Sequence, residues 1–168
     1  MLSRVSKDDW NKLILQWEDE CSHYGENYSD FATASLPVLE HLAYSAPLRD
    51  ASVYGLVQDD KYQVVCQANS TFLPGYQGKV LRVRHIGLSP RFEFSETVDL
   101  QDYTTSLIGV FTGALEVAQQ DMPADHIKFH LKSPAERAFG NAFTDALEDH
   151  DAFTSVAMKG SWIYLSKT

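Results

Sequence analysis

The first periodic signal along the chain is helical. Trp10, Leu13, Ile14 and Trp17 recur at the spacing of one helix face, which predicts a helix over 8–24 with Ser6 or Asp8 as N-cap. Leu36, Leu39, Leu42 and Ala43 form a second such face over 35–45, where Pro37 suits the first turn and Pro47 stops the helix. The period then drops to two. "SVYGLVQ" (52–58) and "YQVVCQA" (62–68) flank a polar "DDK", which is a hairpin signal. "STFLPGYQG" reads as a loop, broken by Pro74, Gly75 and Gly78, and a third strand follows over 79–88.

"SPRFEFSETV" leads into a long helix over 99–120. Tyr103, Leu107, Val110, Phe111, Ala114, Leu115 and Ala118 give it a broad apolar surface, so it is expected to be well buried. Asp99 is its N-cap, and Asp102 stands where a capping box needs it. Gly109 and Gly113, one turn apart, permit close packing on a sheet. "HIKFHLK" (126–132) alternates as a strand, with Ile127, Phe129 and Leu131 on one face and His126, Lys128, His130 and Lys132 on the other. "SPAERAFGNAFTDALE" (133–148) is a helix with Ser133 as N-cap and Pro134 in its first position. "FTSVAMKGSWIYLSK" reads as strand, Gly160, strand. The order is ααβββαβαββ, an α+β class. The strands at 79–88 and 126–132, joined through the long helix, are expected to be parallel neighbours.

Length and charge narrow the function. The 168 residues suit one domain, 1–168, and a content of 44% hydrophobic and 22% charged residues is globular. Fourteen Lys and Arg against 23 Asp and Glu leave a net charge of −9, so nucleic acid and anionic membranes are not expected as partners. "MLSRVSKDDW" lacks the apolar core of a signal peptide, and no run approaches the roughly 18 apolar residues of a membrane span, so a cytoplasmic protein is expected. Cys21 and Cys66 make neither a metal spacing nor a disulfide framework. "NST" at Asn69 has the glycosylation pattern, a chance match without a secretion signal.

Against this acidic background, "KVLRVRHIGLSP" places Arg82 and Arg84 on one face of an otherwise apolar strand. With the parallel neighbour beside it, Lys128, His130 and Lys132 would join them in a basic patch. Two readings lead. The cations pair with Glu136, Asp145 or Glu148 of a covering helix, or they bind an anionic ligand; a solvent-exposed sheet face or an oligomer contact is the third. His85 would face the other way, with Leu81 and Val83, as a core histidine or a base. Glu93 and Glu96 flank Phe92 and Phe94 in "RFEFSE", either a lid carrying a general base or a β-extension whose phenylalanines pack on the core. Trp162 and Tyr164 share a strand face, with core or interface area as their default role. His126 and His130 would lie roughly 13 Å apart on a strand, too far to share a metal. The serine-elbow, P-loop, dinucleotide-fingerprint and H-E-x-x-H templates are absent from the sequence.

The element order, the strand "LRVRHIGLSP" before a buried helix, and the closing "HIKFHLKSPAERAF…SWIYL" together resemble the GNAT acyltransferase superfamily over almost the whole chain. The resemblance implies a mixed sheet of six to seven strands flanked by helices. It also implies acetyl-CoA or another acyl-CoA as cofactor and transfer of its acyl group to an amine. In that fold the two central parallel strands splay apart and the pantetheine arm enters between them. Arg82, Arg84, Lys128 and Lys132 would hold the anionic end of cofactor or substrate, and Glu93, Glu96 or His85 would accept the amine's proton. Two family features are missing. The glycine-containing pyrophosphate turn is replaced by "GLSPRFEFSETVDLQDY", and the helix over 133–148 carries Phe139 and Phe143 where many members have a tyrosine acid. The alternative is a non-catalytic module of the same fold that binds a small anionic ligand or forms a homodimer.

Overall fold

A computed structural model describes residues 1–32, 35–46, 48–132, 134–147 and 151–168. Its elements are β1 (Leu2–Arg4), α1 (Lys7–His23), α2 (Tyr28–Phe31), α3 (Leu36–Tyr44), β2 (Ala51–Gln58), β3 (Lys61–Phe72), β4 (Lys79–Leu88), α4 (Arg91–Phe94), α5 (Leu100–Gln119), β5 (His126–His130), α6 (Pro134–Leu147), β6 (Phe153–Lys159) and β7 (Trp162–Lys167). The seven strands form one sheet in the order β1-β2-β3-β4-β5-β7-β6. Neighbours are antiparallel except β4 and β5, which run parallel as the long crossover helix demands. No helix among the described residues is long and apolar enough to cross a membrane.

Local chemistry sets most of these elements. Ser6 and Asp9 close a capping box at the start of α1, and Asp99 and Asp102 close another at α5. The β2–β3 hairpin turns on Asp59 and Asp60, both left-handed, in the two-residue geometry that matches strand twist. Pro90, with φ −53, starts the single turn α4, and Phe94 donates to the carbonyl of Pro90 at 3.0 Å. "RFEF" is therefore helical, not a β-extension. Phe94 packs on Phe31 and Tyr24, and Phe92 on Tyr103.

The sheet has two packed faces. Helices α5 and α6 cover one, where Phe111 meets Phe129 edge-on at 4.3 Å and lies stacked with Phe143 at 4.5 Å. Phe139 joins that stack, so both phenylalanines of α6 pack, partly buried, against the core. Gly113 lets α5 approach β1, since a Cβ there would stand 2.3 Å from that of Leu2. On the other face α1 and α3 pack over β2, β3 and the end of β4, burying Trp10, Leu13, Trp17 and Leu39 against Val53 and Val65.

Three elements differ from the sequence expectation. Strand β1 precedes the first helix, held by pairing with β2 and by Arg4, whose Nε donates to Asp121 at 2.6 Å. The one-turn helix α2 had no periodic signature. Strand β3 runs on to Phe72, because Ser70–Phe72 pair with Lys79–Leu81 of β4 and so are not loop. The assignments of Ser133 as N-cap, Pro47 as helix stop and Glu148 as an ion-pair partner lie outside the described residues.

Candidate functional site: the splay between β4 and β5

The ladder between β4 and β5 begins at Val80↔His126 and ends at Val83↔Phe129. Strand β5 ends at His130 while β4 continues to Leu88, so among the described residues the β5-facing edge of β4 has no strand partner beyond Val83. A bulge coincides with this opening. Gln67 pairs with Arg84 and Val65 with Gly87, which leaves Cys66 opposite two residues, His85 and Ile86. His85 takes the left-handed conformation, with φ 52. The bulge shifts the alternation by one, so Ile86, not His85, joins Leu81 and Val83 in the core. The expectation that His85 shares their face is corrected by this extra residue.

A groove of about 470 Å³ lies at the end of β4, on the face covered by α1 and α3. Ile86, Gly87, Leu88 and Ser89 form its floor, Trp17, Phe31 and Leu36 one wall, and Phe92, Glu93 and Lys132 the rim. Ser89 is fully buried, and its hydroxyl has no hydrogen-bond partner among the described residues. Lys132 spans the mouth. Its ammonium donates to the Ser35 hydroxyl at 2.6 Å, and its backbone N–H to Glu136 at 2.7 Å. Burial first, then Lys132, Arg84 and His130, push the His85 imidazole below its ordinary 6.5. Burial and then the same two cations do likewise to His130. Both rings are thus neutral at pH 7 and able to accept a proton.

Beyond the groove the same face of the sheet is open. Arg82 pairs in register with Lys128 and Lys128 with Tyr164, so these side chains stand in one row. The Lys128 ammonium sits 4.7 Å from the Trp162 ring, 4.6 Å from Tyr164 and 6.0 Å from Tyr76. Trp162 and Tyr164 therefore flank a cation and are not core residues. His130 lies against Trp162 at 4.6 Å between ring centres. Among the described residues neither Arg82 nor Arg84 has a carboxylate within ion-pair distance. Glu136 is turned to the backbone of Lys132, and Asp145 is exposed. The Nε of both arginines is buried without a partner among the described residues.

Comparison with known proteins bears on this architecture. No protein-family model matches the chain, and no curated protein matches its sequence. Solved structures do. A probable acetyltransferase from Staphylococcus epidermidis ATCC 12228 superposes with a TM-score of 0.57 at 10% identity, over 100% of this chain and 99% of that one. The chain has a GNAT-like acetyltransferase fold. An N-acetyltransferase from Staphylococcus aureus Mu50 gives 0.53 at 8% identity, over 99% and 96% of the two chains. An aminoglycoside 6'-acetyltransferase type Ii gives 0.52 at 11% identity, over 100% and 96%.

A GNAT-like fold implies acyl-coenzyme A, and the residues present fit one end of it. The splay, the free edge of β4 and the orphaned Ser89 hydroxyl suit a slender arm that hydrogen-bonds to backbone. The start of α5 does not suit a pyrophosphate. The Asp99 side chain already accepts the Asp102 N–H at 2.9 Å, and Asp102 holds Arg91 at 3.5 Å. Glu93 and Glu96 add negative charge nearby, where an anion would be repelled.

The residues singled out from the sequence divide accordingly. Arg84, His85, His130 and Lys132 converge at the splay, Glu93 reaches the groove rim, and Arg82 and Lys128 stand further along the open face. Glu96 is exposed and does not line the groove. Sequence reasoning missed Ser35, Gln67, Asn69, Gly87 and Ser89. The only hint was Ser89 before Pro90 at a strand end, where sites of α/β sheets gather. His126 is satisfied by Ser166 and the carbonyl of Gln77, both at 2.8 Å, and serves structure. Among the described residues no group of three or more His, Cys, Asp or Glu is placed to hold a metal ion.

Proposed function

We propose that the protein transfers an acyl group from acyl-CoA, acetyl-CoA included, to an amine. The observation that carries this reading is the splay, where the ladder ends at Val83↔Phe129 beside a bulge and a groove. The cofactor would supply an acyl group already activated as a thioester. The free edge of β4 beyond Val83 offers backbone N–H groups that orient and polarise a carbonyl. Neutral His85, its buried Nδ1 unpartnered among the described residues, would take a proton from the acceptor's ammonium so that the free amine can attack the acyl carbon; the C–S bond would break, coenzyme A would leave as thiolate and take up the second nitrogen proton, and Glu93 at the rim is the second candidate base. Exposed Glu96 would relay protons to solvent at most. Arg82, Arg84, Lys128 and Lys132 hold the anionic end of donor or acceptor, in place of the closed site at α5.

Isothermal titration with acetyl-CoA and with free coenzyme A tests the reading. Micromolar binding is expected. A Cβ at Gly87 would lie 3.5 Å from Val65 and 3.7 Å from Leu36, so Gly87→Val should keep the fold and crowd the groove. Its affinity should fall by about tenfold or more. Absence of binding at millimolar ligand in the parent protein would sink the transferase and leave a binding module on the same fold.

A further inference from the structure

Four buried polar groups form two adjacent pairs across the open face. In register, Arg82 faces Asn69 and Arg84 faces Gln67. Among the described residues the Nε–H of each arginine is a buried donor without a partner, and the side-chain oxygens of Asn69 and Gln67 are buried acceptors without partners. Donors and acceptors stand on neighbouring strands yet do not satisfy one another. An unsatisfied buried polar group is costly, so this arrangement suits a molecule that supplies both complements.

The choice of molecule follows from charge. A simple anion would satisfy the arginines and leave both amide oxygens orphaned. A simple amine would satisfy the amides but bring a further cation among Arg82, Arg84 and Lys128. A molecule with a carboxylate next to an amine serves both pairs at once. We propose that the acyl acceptor is an amino-carboxylate, a free amino acid or a close analogue. Its carboxylate rests on Arg82 and Arg84 and its amine on Gln67 and Asn69. Gln67 stands on the β3 side of β4, one residue from the bulge, so the amine lies one strand from the point where β4 and β5 part. His85, in the bulge between them, would receive its proton. The assignment rests on the transferase reading for the word acceptor, but the binding site does not.

Arginine Nε–H cross-peaks in nitrogen–proton correlation spectra report on the two side chains directly, once assigned with Arg82→Lys and Arg84→Lys. The probes are a mixture of free proteinogenic amino acids, the corresponding amino-acid amides and the N-acetylated amino acids. Free amino acids should shift both peaks at millimolar concentration. Removing the carboxylate or blocking the amine should weaken the response by about tenfold or more. No shift with free amino acids would overturn the proposal, and so would an equal shift with N-acetylated ones, which marks a plain anion site. Acetyl-CoA is titrated separately, read at the Gly87 and Ser89 backbone amides. Amino-acid binding without a response to acetyl-CoA would remove acyl transfer and keep the amino-carboxylate site. A response to acetyl-CoA alone would do the reverse.

Discussion

Replacing Arg82 by glutamine distinguishes a ligand-binding cation from a structural one. Arg82 and Arg84 project from the same strand face, two residues apart, which sets their stems about 7 Å from each other. At that distance two unit charges repel by about 0.6 kcal/mol in water and by about 2.4 kcal/mol at an effective dielectric of 20. Both side chains are half-buried, no carboxylate offsets them among the described residues, and salt screens part of the repulsion. The Arg82 guanidinium is held below its ordinary range, first by burial and then by Arg84. Removing its charge should therefore stabilise the free protein by about 0.5 kcal/mol, once lost packing of the side-chain stem is set against the relieved repulsion. For a domain of this size that is a rise of about 1–2 °C in Tm. Thermal unfolding followed by circular dichroism, at low and at high salt, measures it. The gain should shrink in high salt. An arginine engaged in buried ion pairs would behave oppositely, since removing it costs about 3–5 kcal/mol and lowers Tm by many degrees. A fall in Tm of more than about 3 °C for Arg82→Gln would refute the reasoning.

The core and the two depressed histidines give further expectations. Phe111→Ala removes the ring on which Phe129, Phe139 and Phe143 converge, and should lower stability by about 3–5 kcal/mol in urea unfolding. A loss below about 1 kcal/mol would mean that this face can collapse around the cavity. His85 and His130 both have folded values below 6.5, so the unfolded chain takes up their protons first as pH falls. Their contribution to stability is whole above 6.5 and is lost as pH drops from there through the folded values. Denaturant midpoints should decline across that window, and the double substitution His85→Gln, His130→Gln should flatten the decline; an unchanged slope would show that other groups cause it.

Much of the fold is local and was legible in the chain. The long helix carries its own capping box, Asp99 with Asp102, and an apolar stripe wide enough to demand burial. The alternation in "HIKFH" assigns inward and outward residues without any knowledge of neighbours. A strand, a buried helix and another strand in that order imply a parallel crossover, because the helix carries the chain back to the end of the sheet where the first strand began. The cations of the central strand and their shared face were legible for the same reason, because side-chain direction has a period of two. The closed start of α5 could also be read, since its carboxylates are part of the local sequence.

What pairing and packing decided was not local. Three residues at Leu2–Arg4 carry no periodicity, and they are a strand only because β2 offers an edge and Asp121 holds Arg4. The bulge at His85 has no sequence mark, because it arises where Cys66 of β3 meets two residues of β4. That one extra residue sends Ile86 inward and leaves His85 among the cations. The two readings of Arg82 and Arg84 differed only in what lies opposite them, and a linear pattern cannot say where a distant carboxylate ends up. The folded chain puts Asn69 and Gln67 there instead. Ser89 shows the same limit: a serine before a proline is ordinary in sequence, and only the tertiary structure buries its hydroxyl at the floor of a groove with nothing to bond.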